Sequence, residues 1–186
     1  MRVIGGELRG RSVRTARGQA IRPTASLVRE TLFNLIGPGE VTGCRFLDLC
    51  AGSGSVGIEA LSRGAAAAVF VDNHPTAIGL IRRNLAELGL ESRAIVLRRD
   101  ALKVLADLER RGELFDVAFL DPPYDSDLAQ RCLRSPRWRD IMRARSRIYV
   151  EHRFDITVSA PAGWEVVKNR KYGETALTAL RGEAQE

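Results

Sequence analysis

Two short stretches hold residue types that could do chemistry together. Asp121-Pro122-Pro123-Tyr124 sets a carboxylate, two rigid imino acids and an aromatic ring in consecutive positions. A carboxylate and a backbone carbonyl side by side can accept both N–H bonds of an amino group attached to an aromatic ring. Such a nitrogen is a poor nucleophile, because its lone pair is delocalised into the ring. Two acceptors favour a pyramidal nitrogen whose lone pair can point at an electrophilic carbon. Asp121 and the Pro122 carbonyl supply the acceptors, and Tyr124 offers a face for stacking. Consecutive prolines fix φ and remove N–H donors, leaving a stiff, acceptor-rich wall. Asp-Pro and Pro-Pro are also ordinary turn dipeptides, so the tetrapeptide alone does not separate a catalytic loop from a plain one.

The second stretch is Gly52-Ser53-Gly54-Ser55-Val56-Gly57, with Asp48 four residues before it and Asp72 twenty residues after Gly52. The spacing satisfies the dinucleotide fingerprint G-x-G-x-x-G, which makes a nicotinamide- or flavin-dependent oxidoreductase the natural rival. Asp48 argues against that rival. A dinucleotide sets its pyrophosphate at the helix N-terminus, where a carboxylate repels it. S-adenosylmethionine carries no phosphate, and its ammonium and sulfonium suit an acidic neighbour. The backbone of Ala51, Gly52, Ser53 and Gly54 then lets the ligand approach closely. Asp72, with Asn73 beside it, can accept ribose hydroxyls under either reading. Asp100-Ala101 is placed where a polar group meets an adenine amino group, although Asp100 serves equally well as a helix N-cap. A tight strand-to-helix turn without ligand is the remaining alternative for the glycine set.

These residues need elements that deliver them to one place. Residues 45–50, 68–72, 94–97 and 115–120 read as strands, the last almost wholly apolar as in a strand buried on both faces. Helical spacing separates them: a short helix closing at Gly64, one through Ala77, Ile81, Leu85 and Leu88, and one through Leu102, Leu105 and Leu108. A helix or helix pair is expected over 126–145, then a strand over 146–151 and a closing hairpin from 164–168 and 176–180. Ahead of this unit, residues 2–15 suggest a small β-hairpin or extended arm. Val28, Leu32, Leu35 and Ile36 form one helix face, with Thr24 or Ser26 as its cap and Gly37-Pro38-Gly39 as its end. The pattern predicts an open, mostly parallel α/β sheet with an antiparallel end. In such a sheet ligands bind outside the carboxyl ends of the strands, so the glycine loop and the Asp121 loop should face each other.

Charge points to a partner. The net charge is +6, and residues 1–29 hold seven arginines against the single acid Glu7, an excess that equals the whole. Arg131, Arg134, Arg137, Arg139, Arg143, Arg145 and Arg147 form a second cluster, opposed by Asp140. Such stripes are the footprint expected for a phosphate backbone, and equally of a solvated basic surface. Cys44, Cys50 and Cys132, with only His74 and His152, lack metal-ligand spacing, so no metal is expected. No apolar run approaches the ~20 residues that cross a bilayer, and the N-terminus lacks a signal-peptide core. The expected location is the cytoplasm, with no membrane partner.

Asp48-Leu49-Cys50-Ala51-Gly52-Ser53-Gly54 together with Asp121-Pro122-Pro123-Tyr124 resembles the amino-group branch of the class I S-adenosylmethionine methyltransferases. Arg22-Pro23-Thr24, Val28-Arg29-Glu30, Leu32-Phe33-Asn34, the opening Arg2-Val3-Ile4-Gly5-Gly6 and Tyr172-Gly173 are similar to one subfamily, the small bacterial methyltransferases that form N2-methylguanosine in 16S ribosomal RNA. The resemblance covers essentially the whole chain. It implies a Rossmann-like class I methyltransferase fold: a mostly parallel seven-stranded sheet with an antiparallel C-terminal hairpin, helices on both faces and a small N-terminal hairpin/helix extension. Residues 1–40 would be the RNA-binding arm and helix, and 41–186 the methyltransferase domain. It further implies that residues 48–54 hold the methionine part of S-adenosylmethionine, Asp72 the ribose and Asp100-Ala101 the adenine, while residues 121–124 hold the guanine. Arg9, Arg11, Arg22, Thr24 and Arg29 would line the substrate side. The partner implied is 16S ribosomal RNA in an assembling or assembled small subunit, bound by a monomer. Two other readings stay open: a DNA or RNA adenine-N6 or cytosine-N4 methyltransferase, and a non-catalytic RNA-binding assembly factor. The first needs a target-recognition region for which the chain has little room, and the second gives no chemical reason to keep three carboxylates.

Overall fold

The central strands are apolar at almost every position, and side chains alternate across a strand, so neither sheet face can be left to water. A computed structural model describes residues 1–15, 23–123 and 126–182, with the backbone alone for 23–25. In chain order the elements are α1 (Pro23–Ile36), α2 (Pro38–Val41), β1 (Arg45–Leu49), α3 (Ser55–Ser62), β2 (Ala67–Asp72), α4 (Pro75–Leu88), β3 (Ala94–Arg98), α5 (Ala101–Arg110), β4 (Phe115–Leu120), α6 (Leu128–Leu133), α7 (Trp138–Ile141), β5 (Met142–Arg153), β6 (Trp164–Tyr172) and β7 (Thr175–Gly182). Phe46, Phe70, Val117 and Phe119 pack on one face with Ile58, Leu61, Ile81 and Leu85 of α3 and α4 and Leu32 and Phe33 of α1. Leu47, Leu49, Val69, Val71, Ala118 and Leu120 pack on the other with Val104, Leu105 and Leu108 of α5 and Cys132, Trp138 and Ile141 of α6 and α7.

The seven strands run in the order β3-β2-β1-β4-β5-β7-β6. Neighbours from β3 to β5 are parallel, while β7 pairs antiparallel with both β5 and β6. This is the expected Rossmann-like class I methyltransferase sheet, closed by the expected hairpin. From β1 the chain steps out to β2 and β3, then crosses back to β4 on the other side. The carboxyl ends of β1 and β4 therefore flank a topological switch point, where open α/β sheets bind ligands.

The N-terminal stretch forms a hairpin closed by one antiparallel bridge, Arg2 with Ser12, and by the Val13 amide donating to the Met1 carbonyl at 2.8 Å. Val3 and Val13 enter the same core as α1, α3 and α4, so this extension is packed rather than hung from the domain.

Two expectations are corrected. Helix α1 begins at Pro23, so Thr24 and Ser26 lie inside its first turn instead of capping it. The stretch 126–145 is not helical throughout: α6 and α7 are short, and β5 begins at Met142 rather than 146. Between Phe115↔Met142 and Val117↔Arg147 the register slips, so that Asp116 alone faces residues 143–146. Asp116 pins this bulge, accepting from the Arg45 amide at 2.8 Å and from the Arg143 guanidinium at 2.7 Å. Arg145 takes a left-handed φ of 64° within it. A run of arginines looks helical by propensity. Here the partner strand overrides that preference.

Candidate active site

Each of the four parallel strands β3, β2, β1 and β4 brings an aspartate to one end of the sheet: Asp100, Asp72, Asp48 and Asp121 in spatial order. Strand β1 leads into a turn in which Cys50, Gly52 and Gly54 have φ of 61°, 55° and 76°. Only glycine enters that region freely, so Cys50 is held there by the surrounding bonds. The Ala51 amide donates to the Val71 carbonyl at 2.9 Å and the Gly54 amide to the Ala51 carbonyl at 2.7 Å. A side chain added at Gly52 would meet nothing within 4 Å, whereas one at Gly57 would lie 2.3 Å from the Phe70 ring. The first glycine leaves space above the turn, and the last lets α3 close onto β2.

Asp48 is 1% exposed and accepts the Gly57 amide at 2.9 Å, satisfying the first turn of α3 from beneath. Burial pushes its carboxyl up to about 7, the Gly57 hydrogen bond opposes this, and the charge of Asp72 adds to it. A carboxylate meeting a ligand's ammonium directly is therefore not what the structure holds. Asp48 lies under the loop. Asp72 accepts the Gly52 amide at 2.9 Å and the His74 amide at 2.8 Å, which fixes its carboxylate against the same turn. Asn73 follows on the exposed side. Asp100 is an N-cap, accepting the Leu102 and Lys103 amides at 3.0 and 3.1 Å, with Ala101 buried behind it.

The Asp121 amide donates to the Leu49 carbonyl at 3.3 Å, extending the β1–β4 pairing by one residue. This contact seats the Asp-Pro-Pro stretch beside the glycine turn. Pro122 is buried and Pro123 exposed. Ser126 gives both its amide and its hydroxyl to the Pro123 carbonyl, at 3.2 and 2.7 Å, and not to that of Pro122. Tyr124 lies outside the described residues, as do Arg22 and the side chain of Thr24.

The donor set suits S-adenosylmethionine. Aspartates at the ends of neighbouring strands, with Asp72 bonded to the open turn itself, suit a sulfonium and an ammonium better than a pyrophosphate. Among the described residues no cluster of histidines, cysteines or carboxylates could hold a metal, and no helix is long and apolar enough to cross a membrane. A groove of about 270 Å³ lies at the opposite end of the strands, lined by Glu40, Thr42, Asp116 and Ser146 among others. It contains none of the residues assigned from the sequence to the donor site or the Asp121 loop.

The substrate-side arginines do not converge. Arg9 and Arg11 are exposed on the hairpin, with the Arg11 guanidinium donating to the Glu87 carbonyl at 3.1 Å. Arg29 is placed elsewhere: 4% exposed, it donates to the Arg2 carbonyl at 2.7 Å and pairs with Glu59 at 3.5 Å. In these contacts it ties the arm to the domain. Sequence reasoning missed Glu59 and Asn84, both buried and both bonded to the arm. Each is a polar residue beside an apolar helical stripe, and that position was the available sign.

A family model described as conserved hypothetical protein 95 matches residues 1–181. The protein YlbH of Bacillus subtilis is 39% identical over 183 residues, covering 97% of this chain and 98% of that one. The ribosomal RNA small subunit methyltransferase D of Escherichia coli is 32% identical over 186 residues, covering 100% of this chain and 91% of that one. The solved structure of yhhF from Escherichia coli superposes with a TM-score of 0.84 at 34% identity, covering 100% of this chain and 99% of that one. Likeness that runs from the arginine-rich hairpin through both site loops to the final strand leaves one assignment, and the chain belongs to the conserved hypothetical protein 95 family, as a relative of ribosomal RNA small subunit methyltransferase D.

Proposed function

We propose that this chain transfers a methyl group from S-adenosylmethionine to the exocyclic N2 amino group of a guanine in 16S ribosomal RNA. The observation that carries the reading is the seating of Asp121 against Leu49, which sets the acceptor loop one strand away from the glycine turn. The bound donor supplies an electrophilic methyl carbon on a positively charged sulfur. Residues 51–54 receive it through their backbone, Asp72 and Asn73 hold the ribose, and Asp100-Ala101 border the adenine. Asp48 holds the turn in shape from below. Asp121 and the Pro122 carbonyl accept the two amino hydrogens and turn the lone pair outward, with Tyr124 stacked on the base. As the N–C bond forms, the methyl carbon would part from the sulfur, which would leave as a neutral thioether. The nitrogen gains positive charge, so the Asp121 carboxylate stabilises the transition state more than the ground state and then takes the surplus amino proton. Holding both partners in line supplies the remainder.

Guanine in small-subunit RNA is supported by the likeness to ribosomal RNA small subunit methyltransferase D and by the exposed arginines of the hairpin. Arginines on backbone carry little sequence information, so the fold of the RNA, or of an assembling subunit, selects the base for a monomeric enzyme. Mass mapping of 16S RNA from a strain lacking the gene tests the substrate: one N2-methylguanosine disappears and returns on complementation. A full set of N2-methylguanosines in that strain refutes it. Titration calorimetry tests the donor, since a chain that fails to bind S-adenosylmethionine is an assembly factor and no methyltransferase.

A further inference from the structure

The buried face of α4 carries one polar residue between Ile81, Leu85 and Leu88. Asn84 is 1% exposed. Its Oδ1 accepts the Arg14 amide at 2.9 Å, and its Nδ2 donates to the Arg14 carbonyl at 3.0 Å and to the Ser53 carbonyl at 2.9 Å. Three of its hydrogen-bonding positions are thus filled by the backbones of two segments 39 residues apart in sequence. A flipped amide would set oxygen against two carbonyls, so the partners themselves fix its orientation. One of those partners, Ser53, is the middle residue of the glycine turn. The other, Arg14, ends the arginine-rich hairpin, and its guanidinium is gripped by Glu87 one turn along α4 at 2.8 Å. Among the described residues, the Asn84 side chain alone hydrogen-bonds to both.

We infer that Asn84 is a positioning residue that couples the hairpin to the cofactor turn, so that donor binding at the turn tightens the arm that faces RNA. The inference rests on the reading of residues 51–54 as the donor site. Lifting Arg14 away breaks two bonds to Asn84 and frees the amide that steadies Ser53. A donor that needs the ordered turn disfavours this opening, and by reciprocity an RNA that needs the ordered arm tightens the donor. An aspartate here keeps the acceptor for the Arg14 amide but loses both donors and faces two carbonyl oxygens. An alanine loses everything and leaves three backbone groups without their partner.

Amide hydrogen exchange by NMR tests this on the wild-type chain, Asn84→Ala and Asn84→Asp, with and without S-adenosylmethionine. Circular dichroism melting checks that each variant is folded. At donor concentrations near 100 times Kd, opening that requires loss of the site slows by up to about 100-fold. The wild type should show this slowing at the Gly52 to Gly54 amides and also at Arg14. In both variants the turn amides should still slow, while the Arg14 amide exchanges at one rate with or without donor. Slowing of the turn but not of Arg14 in the wild type overturns the coupling, and that measurement needs no variant. Equal slowing of Arg14 in wild type and variants overturns the role of Asn84. If calorimetry shows binding but the turn amides do not slow, the donor site itself is misplaced and the coupling falls with it.

Discussion

Asp48 and Asp121 stand on adjacent strands and serve opposite needs. In the proposed mechanism Asp121 acts as a carboxylate that reaches the substrate. Replacing it with alanine should lower kcat by about 10²–10³-fold, the loss typical of one well-placed charged or polar partner. Donor affinity by calorimetry should stay within about twofold, because the proposed role of Asp121 is to hold the amine and not the methionine end. Full activity in Asp121→Ala would remove the mechanism. Asp48 is buried beneath the turn, with its carboxyl raised from 3.8 to about 7. Between those values the folded chain keeps a proton that the unfolded chain has lost, so this group's contribution to stability falls as pH rises from about 4 to about 7, then levels off. Asp48→Asn removes the titration and keeps an acceptor for the Gly57 amide. Its melting temperature relative to wild type should be raised less at pH 5 than at pH 8, with the difference vanishing only near pH 4. A difference independent of pH would mean that the carboxyl is ionised throughout.

Between elements, the decisive contact is the docking of the N-terminal hairpin on α3. Glu59 is fully buried and accepts the Ile4 and Gly5 amides at 2.8 Å each, takes the Arg63 guanidinium at 2.8 Å and pairs with buried Arg29. Glu59→Ala leaves Arg29 as an uncompensated buried charge, with an expected loss of about 3–5 kcal/mol in urea unfolding. Loss of less than about 1 kcal/mol would show that water reaches the pair. Gly6 adds a steric constraint, since its φ is +78° and an added Cβ would sit 1.8 Å from the Ser62 carbonyl oxygen. Gly6→Ala should therefore undock the hairpin, visible as faster amide exchange at Ile4 and Gly5 with the sheet amides unchanged. None of this docking was legible in sequence. Apolar period finds the stripe Ile81, Leu85 and Leu88 but treats Asn84 beside it as solvent-facing, and Glu59 likewise. The sheet was legible, because strands apolar at almost every position carry Asp48, Asp72 and Asp121 at or just past their ends, and glycine or proline follows close behind. Strand β5 was misread at its start because the Asp116 bulge is a property of the pair β4–β5, and no local propensity encodes it.

For the whole molecule the question is which of the many arginines meet RNA. The stretch 131–147 reads as a basic stripe, yet Arg131, Arg137, Arg143 and Arg147 pair with Asp127, Glu109, Asp116 and Glu40. All four of those acids lie outside the stripe in sequence, so a window count overstates its field. On the hairpin, Arg14 pairs with Glu87, but Arg11 gives a hydrogen bond only to a neutral carbonyl and Arg9 is exposed. Neither loses its charge to a neighbour in those contacts. A phosphate contact contributes about 0.7–0.9 to the slope of log K against log salt. Arg9→Gln and Arg11→Gln should each flatten that slope for 16S RNA by about this amount where the side chain meets a phosphate. Arg143→Gln should leave it nearly unchanged, because its cation already faces Asp116. The comparison is internal, since each substitution removes one formal charge and only the paired state differs. Equal flattening by all three would mean that RNA responds to net charge alone. An unaltered slope for Arg9 and Arg11 would place the backbone contact away from the hairpin, and the arm would then serve the donor site through Asn84 rather than the RNA.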